Sequence, residues 1–573
     1  MTILRSTQHN EKNSRIYSNN NCNETLNGQQ TNVKLGDMDS GDNNKTTLLT
    51  CARKAAKVLA EQTTTPSARA DACLGLIKKK KADERLASFQ ERLRALPIDE
   101  RHYWVGTLYT LMLPAKVRRS QAAYFTPPIV ANAVVDLAIE AGFNMERDTV
   151  LDPAAGGAAF LSTLARRMKD TGLDSTDVAR RLNGIEIDEG LSRLSRRLVE
   201  EQLGAKLPKK NIVTADALKT STATSFDLVI ANPPYGRLSL DEVHGDEWKR
   251  IAHSGHINKY ALFAELSFRI AKTGGLVVLV IPSSFRAGPL YDRMREFVRA
   301  EAQVLAIASI QGRDGVFVDV AQDVSVLVAR KGKPHDIASP VRFPIIGTDL
   351  PKGPVVEEKL PEETGAGWPL PATDPKTVGG ATLADYGVQA KAGYFVWNRE
   401  GDRMRTSPGD DTVYPLIWAK NIRPGEFCRP AGRNGSPIDL VQFDGPSTSI
   451  VRKSAAVLQR TTNDKQPRRL IAAMVDPQVV KKWGGFVTEN HTIVLTSDDA
   501  EQLVLLVTLL NTGPVDQRYR RVSGTAAVSV SLLRELDLPS PQAFAKSLKA
   551  ARGDAEAAAA QAYLSQPALV RPR

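Results

Sequence analysis

Short apolar segments alternate with amphipathic stretches through the middle of the chain, between residues 120 and 335. Seven apolar segments predict strands, at 149–152, 182–188, 211–216, 226–234, 274–282, 304–310 and 325–330. Stretches between them, such as GAAFLSTLARRMKD and PLYDRMREFVRAEA, place apolar residues at helical spacing. This alternation predicts an α/β domain whose parallel sheet is covered by helices on both faces.

The regions on either side of this domain differ from it in composition and in hydrophobic pattern. The N-terminal residues are rich in Asn, Ser, Thr and Gln without apolar periodicity, which predicts a disordered segment. Pro and Gly become frequent after residue 335, and helical periodicity returns only near 499–511. The predicted organisation is a disordered segment at 1–47, helices at 48–119, the α/β domain at 120–335, a linker at 336–380, a mixed α+β domain at 381–545 and a helical, then frayed, tail at 546–573.

Composition narrows the class of protein only a little. Lys and Arg together number 76 and Asp and Glu 64, giving a net charge of +12 in 573 residues, which weakly favours a polyanionic partner. The four cysteines are scattered without CxxC spacing and the seven histidines without metal-ligand spacing, so no metal site is expected. No apolar run is long enough for a membrane span and no signal-peptide core is evident, so a cytosolic protein without a membrane partner is expected.

Three carboxylates end three successive predicted strands. Asp152 opens the turn DPAAGG, where Gly156 lets the backbone approach a ligand closely, and Glu186 and Asp216 follow the next two strands. Ligands of open parallel sheets bind at the carboxyl ends of strands, so these side chains are expected to share one site. Each acid alone could cap a helix, which is the commoner role.

Taken together, the three acids favour one cofactor. Asp152 suits the ammonium group of an amino acid, Glu186 can accept both hydroxyls of a ribose, and Asp216 can accept the amine of an adenine ring. These groups occur together in S-adenosylmethionine, which is therefore the predicted cofactor.

The fourth strand, FDLVIA, leads into the tetrapeptide Asn232-Pro233-Pro234-Tyr235. The two prolines fix the backbone and leave carbonyl groups without competing donors. The Asn232 side-chain oxygen and the Pro233 carbonyl could accept the two hydrogens of one NH₂ group, and Tyr235 offers a ring on which a base can stack. A Pro-rich turn that merely closes a strand is the structural alternative.

These segments resemble the ordered motifs of the amino-type adenine DNA methyltransferases. The likeness is carried over residues 120–335 by YFTPPIVANAVVDLAI, DPAAGGAAFL, GIEID, TADAL, ANPPYG and GGLVVLVIPSSF. The motif order is similar to that of the gamma group, which includes the TaqI modification methylase, and of type I modification subunits. The resemblance implies a class I S-adenosylmethionine-dependent methyltransferase (Rossmann-like) fold and methylation of adenine at its exocyclic amine.

The resemblance also assigns roles to individual residues. The cofactor-binding residues it implies are Tyr124, Phe125, Thr126, Asp152, Ala154, Gly156, Glu186 and Asp216. The catalytic residues it implies are Asn232, Pro233, Pro234 and Tyr235. Phe317 resembles a second aromatic that holds the extruded base, although core packing explains it nearly as well. Ala217 stands where an aromatic often stacks on the cofactor adenine, which leaves Ile187 or Leu218 for that contact.

The long C-terminal part favours duplex DNA as the substrate. An enzyme that acts on a base within a duplex must rotate that base out of the stack, and it needs DNA contacts elsewhere to offset the cost. The segment 468–497 combines cations with Trp483, Asn490 and His491, and 393–403 is similarly aromatic and basic. We therefore expect a target-recognition domain in a modification enzyme, with any cognate restriction endonuclease on a separate chain. Methylation of a protein glutamine amide or of ribosomal RNA stays open as the alternative, since the same tetrapeptide serves those reactions.

Overall fold

The computed structural model describes most of the chain between residues 40 and 565. The described residues are 40–78, 83–114, 117–118, 125–220, 224–310, 323–347, 355–371, 380–407, 412–428, 439–461, 466, 468–523 and 527–565. They form two compact units. The larger unit holds the described parts of 39–386, 460–470 and 512–573, and the smaller unit those of 387–459 and 471–511.

A ten-stranded sheet organises the larger unit. The strands of this unit are β1 (Val150–Asp152), β2 (Leu182–Glu186), β3 (Ile212–Thr214), β4 (Phe226–Ala231), β5 (Arg237–Leu238), β6 (Ile257–Asn258), β7 (Ala271–Pro282), β8 (Ala302–Ile310), β9 (Val324–Lys331), β10 (Val341–Phe343), β11 (Ile345–Ile346) and β12 (Val356–Glu358). Strands β5 and β6 pair with each other, and the others form the sheet in the order β12-β10-β8-β9-β7-β4-β1-β2-β3, with β11 beside β8.

The strand directions identify the fold. Strands β3, β2, β1, β4 and β7 run parallel to one another, whereas β9 is antiparallel to both β7 and β8. A parallel sheet whose strand order switches direction at β1, with an antiparallel strand inserted between its last two long strands, β7 and β8, is the class I methyltransferase arrangement. The predicted fold class is thereby confirmed.

Helices cover both faces of the sheet. The α-helices of the chain are α1 (Ser40–Gln62), α2 (Pro66–Ile77), α3 (Glu84–Ala95), α4 (Ile98–Leu111), α5 (Pro128–Glu140), α6 (Ala159–Asp170), α7 (Ser175–Arg181), α8 (Glu189–Leu203), α9 (Lys259–Ile270), α10 (Ser284–Ala287), α11 (Asp292–Glu301), α12 (Pro477–Trp483), α13 (Ala500–Leu510), α14 (Gly513–Val522), α15 (Val530–Arg534), α16 (Pro541–Ala550) and α17 (Ala555–Leu564). Alternate residues of β7 enter opposite cores: Leu276 and Val278 pack with α5 and α6, and Val277 and Leu279 pack with α9 and α11. This two-sided burial explains why β7 reads as one continuous apolar run.

Helices α1 to α4 form a further layer against α8. Their apolar residues share one core with Leu191, Leu194 and Leu198 of α8. Helix α1 begins at Ser40, inside the segment 1–47 that we expected to be disordered. The rest of that segment, 1–39, lies outside the described residues.

The larger unit extends beyond the predicted boundary at residue 335. Strands β10, β11 and β12 fall in the predicted linker 336–380, and Val341 and Phe343 are buried in the same core as β7. These strands have only two or three residues, too few for an alternating pattern to show in the sequence.

The predicted C-terminal domain, 381–545, is also divided differently. Helices α14 to α17 belong to the larger unit, where the Gly380 amide donates to Asp537 at 2.7 Å and Ala381 pairs with Leu538. These links join segments that are far apart in the sequence, and no local pattern announces them.

The smaller unit is a mixed α+β structure that contains α12 and α13. Its strands are β13 (Gln389–Ala392), β14 (Met404–Arg405), β15 (Val413–Ile417), β16 (Ile422–Arg423), β17 (Glu426–Phe427), β18 (Leu440–Gln442), β19 (Ala455–Gln459), β20 (Ala472–Met474), β21 (Val487–Thr488) and β22 (Thr492–Thr496). They form two four-stranded sheets, β13-β22-β19-β20 and β14-β18-β15-β21, and the short pair β16-β17. In neither unit does a described helix combine the length and apolar character needed to cross a membrane.

Candidate active site

Four predicted site residues meet at the carboxyl edge of the central sheet. Asp152 and Glu186 end β1 and β2, Asp216 lies two residues beyond β3, and Asn232 follows β4 directly. All four line one cavity of about 990 Å³. The parallel strands bring them together because their carboxyl ends share one edge of the sheet.

The glycine loop between β1 and α6 is packed against Phe125. Gly156 has a positive φ of 49°, and a Cβ on Gly157 would lie 2.1 Å from Cε1 of the Phe125 ring. The same ring lies against Gly106 of α4, where a Cβ would approach it to 3.0 Å. Phe125 therefore fills the space between α4 and the loop, and Phe125 and Ala154 both line the cavity.

Asp152 is a carboxyl group held in a dry environment. It is 2% exposed, and its Oδ1 accepts a hydrogen bond of 2.9 Å from the Ala154 amide. Burial raises the pKa of Asp152 to about 8, the Ala154 hydrogen bond opposes that rise, and the charge of Glu186 adds to it. A positively charged ligand group at this position would supply the charge that the pocket lacks.

Glu186 is held by backbone donors on both oxygens. Oε2 accepts from the Gly156 amide at 2.8 Å and Oε1 from the Asp188 amide at 2.9 Å. Burial raises the pKa of Glu186, while these backbone hydrogen bonds lower it. Each oxygen keeps a lone pair, so the carboxylate can accept two further hydrogen bonds from a ligand.

Asp216 is the most accessible of the three acids. Its Oδ1 accepts from the Leu218 amide at 3.1 Å, and its Oδ2 lies 3.8 Å from Lys219 Nζ. Its side chain is 31% exposed, so the carboxylate can still meet a polar ligand edge.

Apolar residues complete the wall beyond Asp216. Ile187 and Leu218, proposed from the sequence to contact an adenine ring, both line the cavity. Trp248, Leu262 and Phe263 line it too, although no motif or spacing in the sequence singles them out. Leu262 and Phe263 lie on α9, where their apolar pattern is the same as that of a core-facing helix.

The turn after β4 presents Asn232 with both ends of its amide engaged. Nδ2 donates to Thr126 Oγ1 at 3.0 Å, and Oδ1 accepts from the Tyr235 hydroxyl at 2.6 Å. Asn232 and Pro234 line the cavity, and Pro233 is buried. Thr126, expected to bind the cofactor, lines the cavity as well and is 4% exposed.

The ring of Tyr235 is packed into the protein. It meets Tyr260 edge-to-face with ring centroids 6.3 Å apart, and its hydroxyl also lies 3.3 Å from the Val280 carbonyl. Burial raises the pKa of Tyr235 far above its ordinary value. Stacking on an extruded base would require the side chain to turn outwards.

Two predicted site residues lie outside the described part of the chain. These are Tyr124, assigned to the cofactor, and Phe317, assigned to the target base. Their roles stay predictions.

The basic segment 468–497 divides into buried and exposed cations. Arg468 pairs with Glu556, and Arg469 is 3% exposed and donates to Asp323. Lys481 and Lys482 are exposed on α12. The two arginines are therefore engaged within the protein, and Lys481 is the better candidate for a polyanion.

Comparisons with known proteins show which proteins the chain is similar to. Residues 103–357 match the model of the family described as N-6 DNA Methylase. The chain is 22% identical over 463 residues to the type II methyltransferase M.BsuBI of Bacillus subtilis, covering 73% of this chain and 87% of that protein. It is 30% identical over 200 residues to the type II methyltransferase M.TthHB8I of Thermus thermophilus, covering 33% of this chain and 41% of that protein. Among solved structures, a type I restriction-modification methyltransferase subunit from Streptococcus thermophilus is similar, with 17% identity, a TM-score of 0.33 and coverage of 47% of this chain and 58% of that one.

Proposed function

We propose that the chain, whose residues 103–357 match the N-6 DNA Methylase family, methylates the exocyclic amine of adenine in duplex DNA. The observation that carries the proposal is the single cavity shared by Asp152, Glu186, Asp216 and Asn232. It combines a set of acids suited to a nucleoside bearing an amino acid with an amide suited to an NH₂ group.

The residues present fit S-adenosylmethionine. Burial raises the pKa of the Asp152 carboxyl group to about 8, and a cation beside it would stabilise the ionised form. The ammonium group of the cofactor is such a cation. Glu186 offers two remaining lone pairs for ribose hydroxyls, and Asp216 offers an oxygen for an adenine amine. When bound, the cofactor supplies a methyl group that is already activated by a positively charged sulfur.

The turn after β4 is suited to prepare the accepting nitrogen. The Asn232 side-chain oxygen and the Pro233 carbonyl accept the two hydrogens of the target amine, which draws its lone pair out of conjugation with the ring. Pro233 and Pro234 keep that pair of acceptors rigid. Tyr235 turns towards the base and stacks on it, and Phe317 is proposed for the opposite face.

Duplex DNA is the substrate best supported by the whole chain. The net charge of +12 favours a polyanion, and the smaller unit provides a separate folded body for recognising a target sequence. Since the relatives above are type II methyltransferases, we assign the chain to the modification side of a restriction-modification system. Any cognate endonuclease is then a separate protein, and the enzyme acts where the DNA is, in the cytosol.

The test is expression in a bacterial host that lacks adenine methylation, followed by single-molecule sequencing of its DNA. The wild-type chain should produce N6-methyladenine within one short sequence motif, and Asn232→Ala should produce none while still binding S-adenosylmethionine. DNA without methyladenine, together with a newly methylated glutamine in a protein or a newly methylated nucleotide in ribosomal RNA, would overturn the proposal.

A further inference from the structure

Thr126 is the described residue that connects the segment before α5 to the catalytic turn. Its Oγ1 accepts the hydrogen bond of 3.0 Å from Asn232 Nδ2, and its side chain is 4% exposed. Pro127 and Pro128 follow it directly, with Pro128 at the start of α5. Because Thr126 precedes a proline, its backbone is restricted to extended conformations, and its buried side chain has little room to move.

The orientation of the Asn232 amide decides whether it can bind the target amine. The two ends of an amide have nearly the same size but opposite hydrogen-bonding character. With Oδ1 towards the substrate, Asn232 accepts a hydrogen from the amine; after a half-turn of the amide, Nδ2 would face the amine with a second donor. A partner that engages Nδ2 therefore favours the productive orientation.

Two described side chains hold this amide, and one of them is expected to leave. The Tyr235 hydroxyl donates to Oδ1 while the ring rests against Tyr260. When Tyr235 turns towards an extruded base, that hydrogen bond is lost. The bond from Nδ2 to Thr126 can then persist without any movement of Thr126, because Thr126 lies on a different segment of the chain.

We propose that Thr126 is a positioning residue for methyl transfer, which acts by holding Nδ2 of Asn232 so that Oδ1 faces the target amine. This role rests on the proposed function and differs from the cofactor contact expected from the sequence. It predicts that loss of the Thr126 hydroxyl slows the chemical step and leaves cofactor affinity nearly unchanged.

Thr126→Val tests the role because it replaces the hydroxyl with a methyl group of similar size. We expect its single-turnover methylation rate to fall about tenfold, since one buried hydrogen bond is lost. The Kd for S-adenosylmethionine, measured by calorimetry, should change by less than about threefold. Thr126→Ser keeps the hydroxyl group and should restore most of the methylation rate. Thr126→Ala enters the same assays in case the valine variant does not fold.

A matched control is Thr110→Val. Thr110 is equally buried at 4% exposure, and its hydroxyl donates to the Thr107 carbonyl within α4. This variant loses a buried hydroxyl hydrogen bond that does not involve Asn232, so its thermal stability should fall while its methylation rate stays at the wild-type level.

Three results would overturn the positioning role alone while the wild type still methylates adenine. They are a wild-type rate in the hydroxyl-free variants, a loss confined to cofactor affinity, and a rate that Thr126→Ser fails to restore. A wild-type protein that transfers no methyl group to adenine in DNA would instead overturn the proposed function, and this role with it.

Discussion

Asp152 is buried, and its burial disfavours the ionised form of the carboxyl group. Its pKa of about 8, against an ordinary value of 3.8, means that the folded protein without ligand binds an extra proton between about pH 4 and pH 8. Stability contributed by this proton is fully present below about pH 4 and is lost as the pH rises through about 8. A cation bound beside the carboxylate removes that loss, so the group ties stability to occupancy of the site.

Asp152→Asn should therefore change the pH dependence of unfolding. The amide cannot ionise, so the melting temperature of the variant should rise relative to that of the wild type by several degrees between about pH 5 and pH 9. Differential scanning fluorimetry measures this directly, and added S-adenosylmethionine should stabilise only the wild type. Asp174, an exposed helix cap whose pKa is lowered, is the control, because Asp174→Asn should show no such rise with pH. A constant difference between Asp152→Asn and wild type would contradict the assignment.

The hydroxyl group and the ring of Tyr235 can contribute separately to methyl transfer, and two substitutions distinguish them. Tyr235→Phe removes the hydrogen bonds to Asn232 and to the Val280 carbonyl but keeps the ring. We expect methylation within about tenfold of wild type for phenylalanine, and for Tyr235→Ala a further loss corresponding to about 1–3 kcal/mol of base stacking. Single-turnover rates on duplex DNA compare the two variants. Equal rates for phenylalanine and alanine would exclude a stacking role for the ring.

At the scale of elements, the contact between Phe125 and the glycine loop shapes the side of the cavity that we propose for the cofactor. Gly157→Ala would place a Cβ 2.1 Å from the Phe125 ring, which Gly106 of α4 already confines on another side. We expect a loss of about 1–3 kcal/mol in stability together with weaker binding of S-adenosylmethionine, measured by chemical unfolding and calorimetry. Gly255→Ala is the control, since a Cβ there meets nothing within 4 Å. Unaltered cofactor binding by Gly157→Ala would show that the loop tolerates displacement of Phe125.

The sequence predicts the elements of the site well where a pattern is local. Strand ends and the order of motifs were enough to bring Asp152, Glu186, Asp216 and Asn232 to one edge, because parallel strands share that edge. Contacts between distant segments could not be predicted in the same way. The bond from Asn232 to Thr126 joins residues 106 positions apart, and nothing near either residue signals it. Phe263 was missed because a cavity-lining position on α9 has the same apolar pattern as a core position.

At the scale of the whole molecule, unit boundaries were harder to predict than the fold. The alternation of strands and helices identified the α/β unit, but β10 to β12 and α14 to α17 join that unit from segments predicted as linker, C-terminal domain and tail. Their membership depends on long-range pairing, such as the hydrogen bond from the Gly380 amide to Asp537. The smaller unit is consequently built from two separate stretches of chain, 387–459 and 471–511. Local sequence patterns do not show this interruption, so the region was predicted as one continuous domain.

Lys481, on α12 of the smaller unit, allows DNA binding by that unit to be tested. Lys481 is exposed, whereas Lys453 of the same unit pairs with Asp498 at 2.9 Å. If Lys481 meets a phosphate, Lys481→Ala should weaken binding to duplexes of any sequence and reduce the slope of log Kd against log salt by about 1. Lys453→Ala should change that slope much less, because its ammonium group is already neutralised by a carboxylate. Fluorescence anisotropy over a range of salt concentrations measures both slopes, and an unchanged slope for Lys481→Ala would place the phosphate contacts elsewhere on the protein.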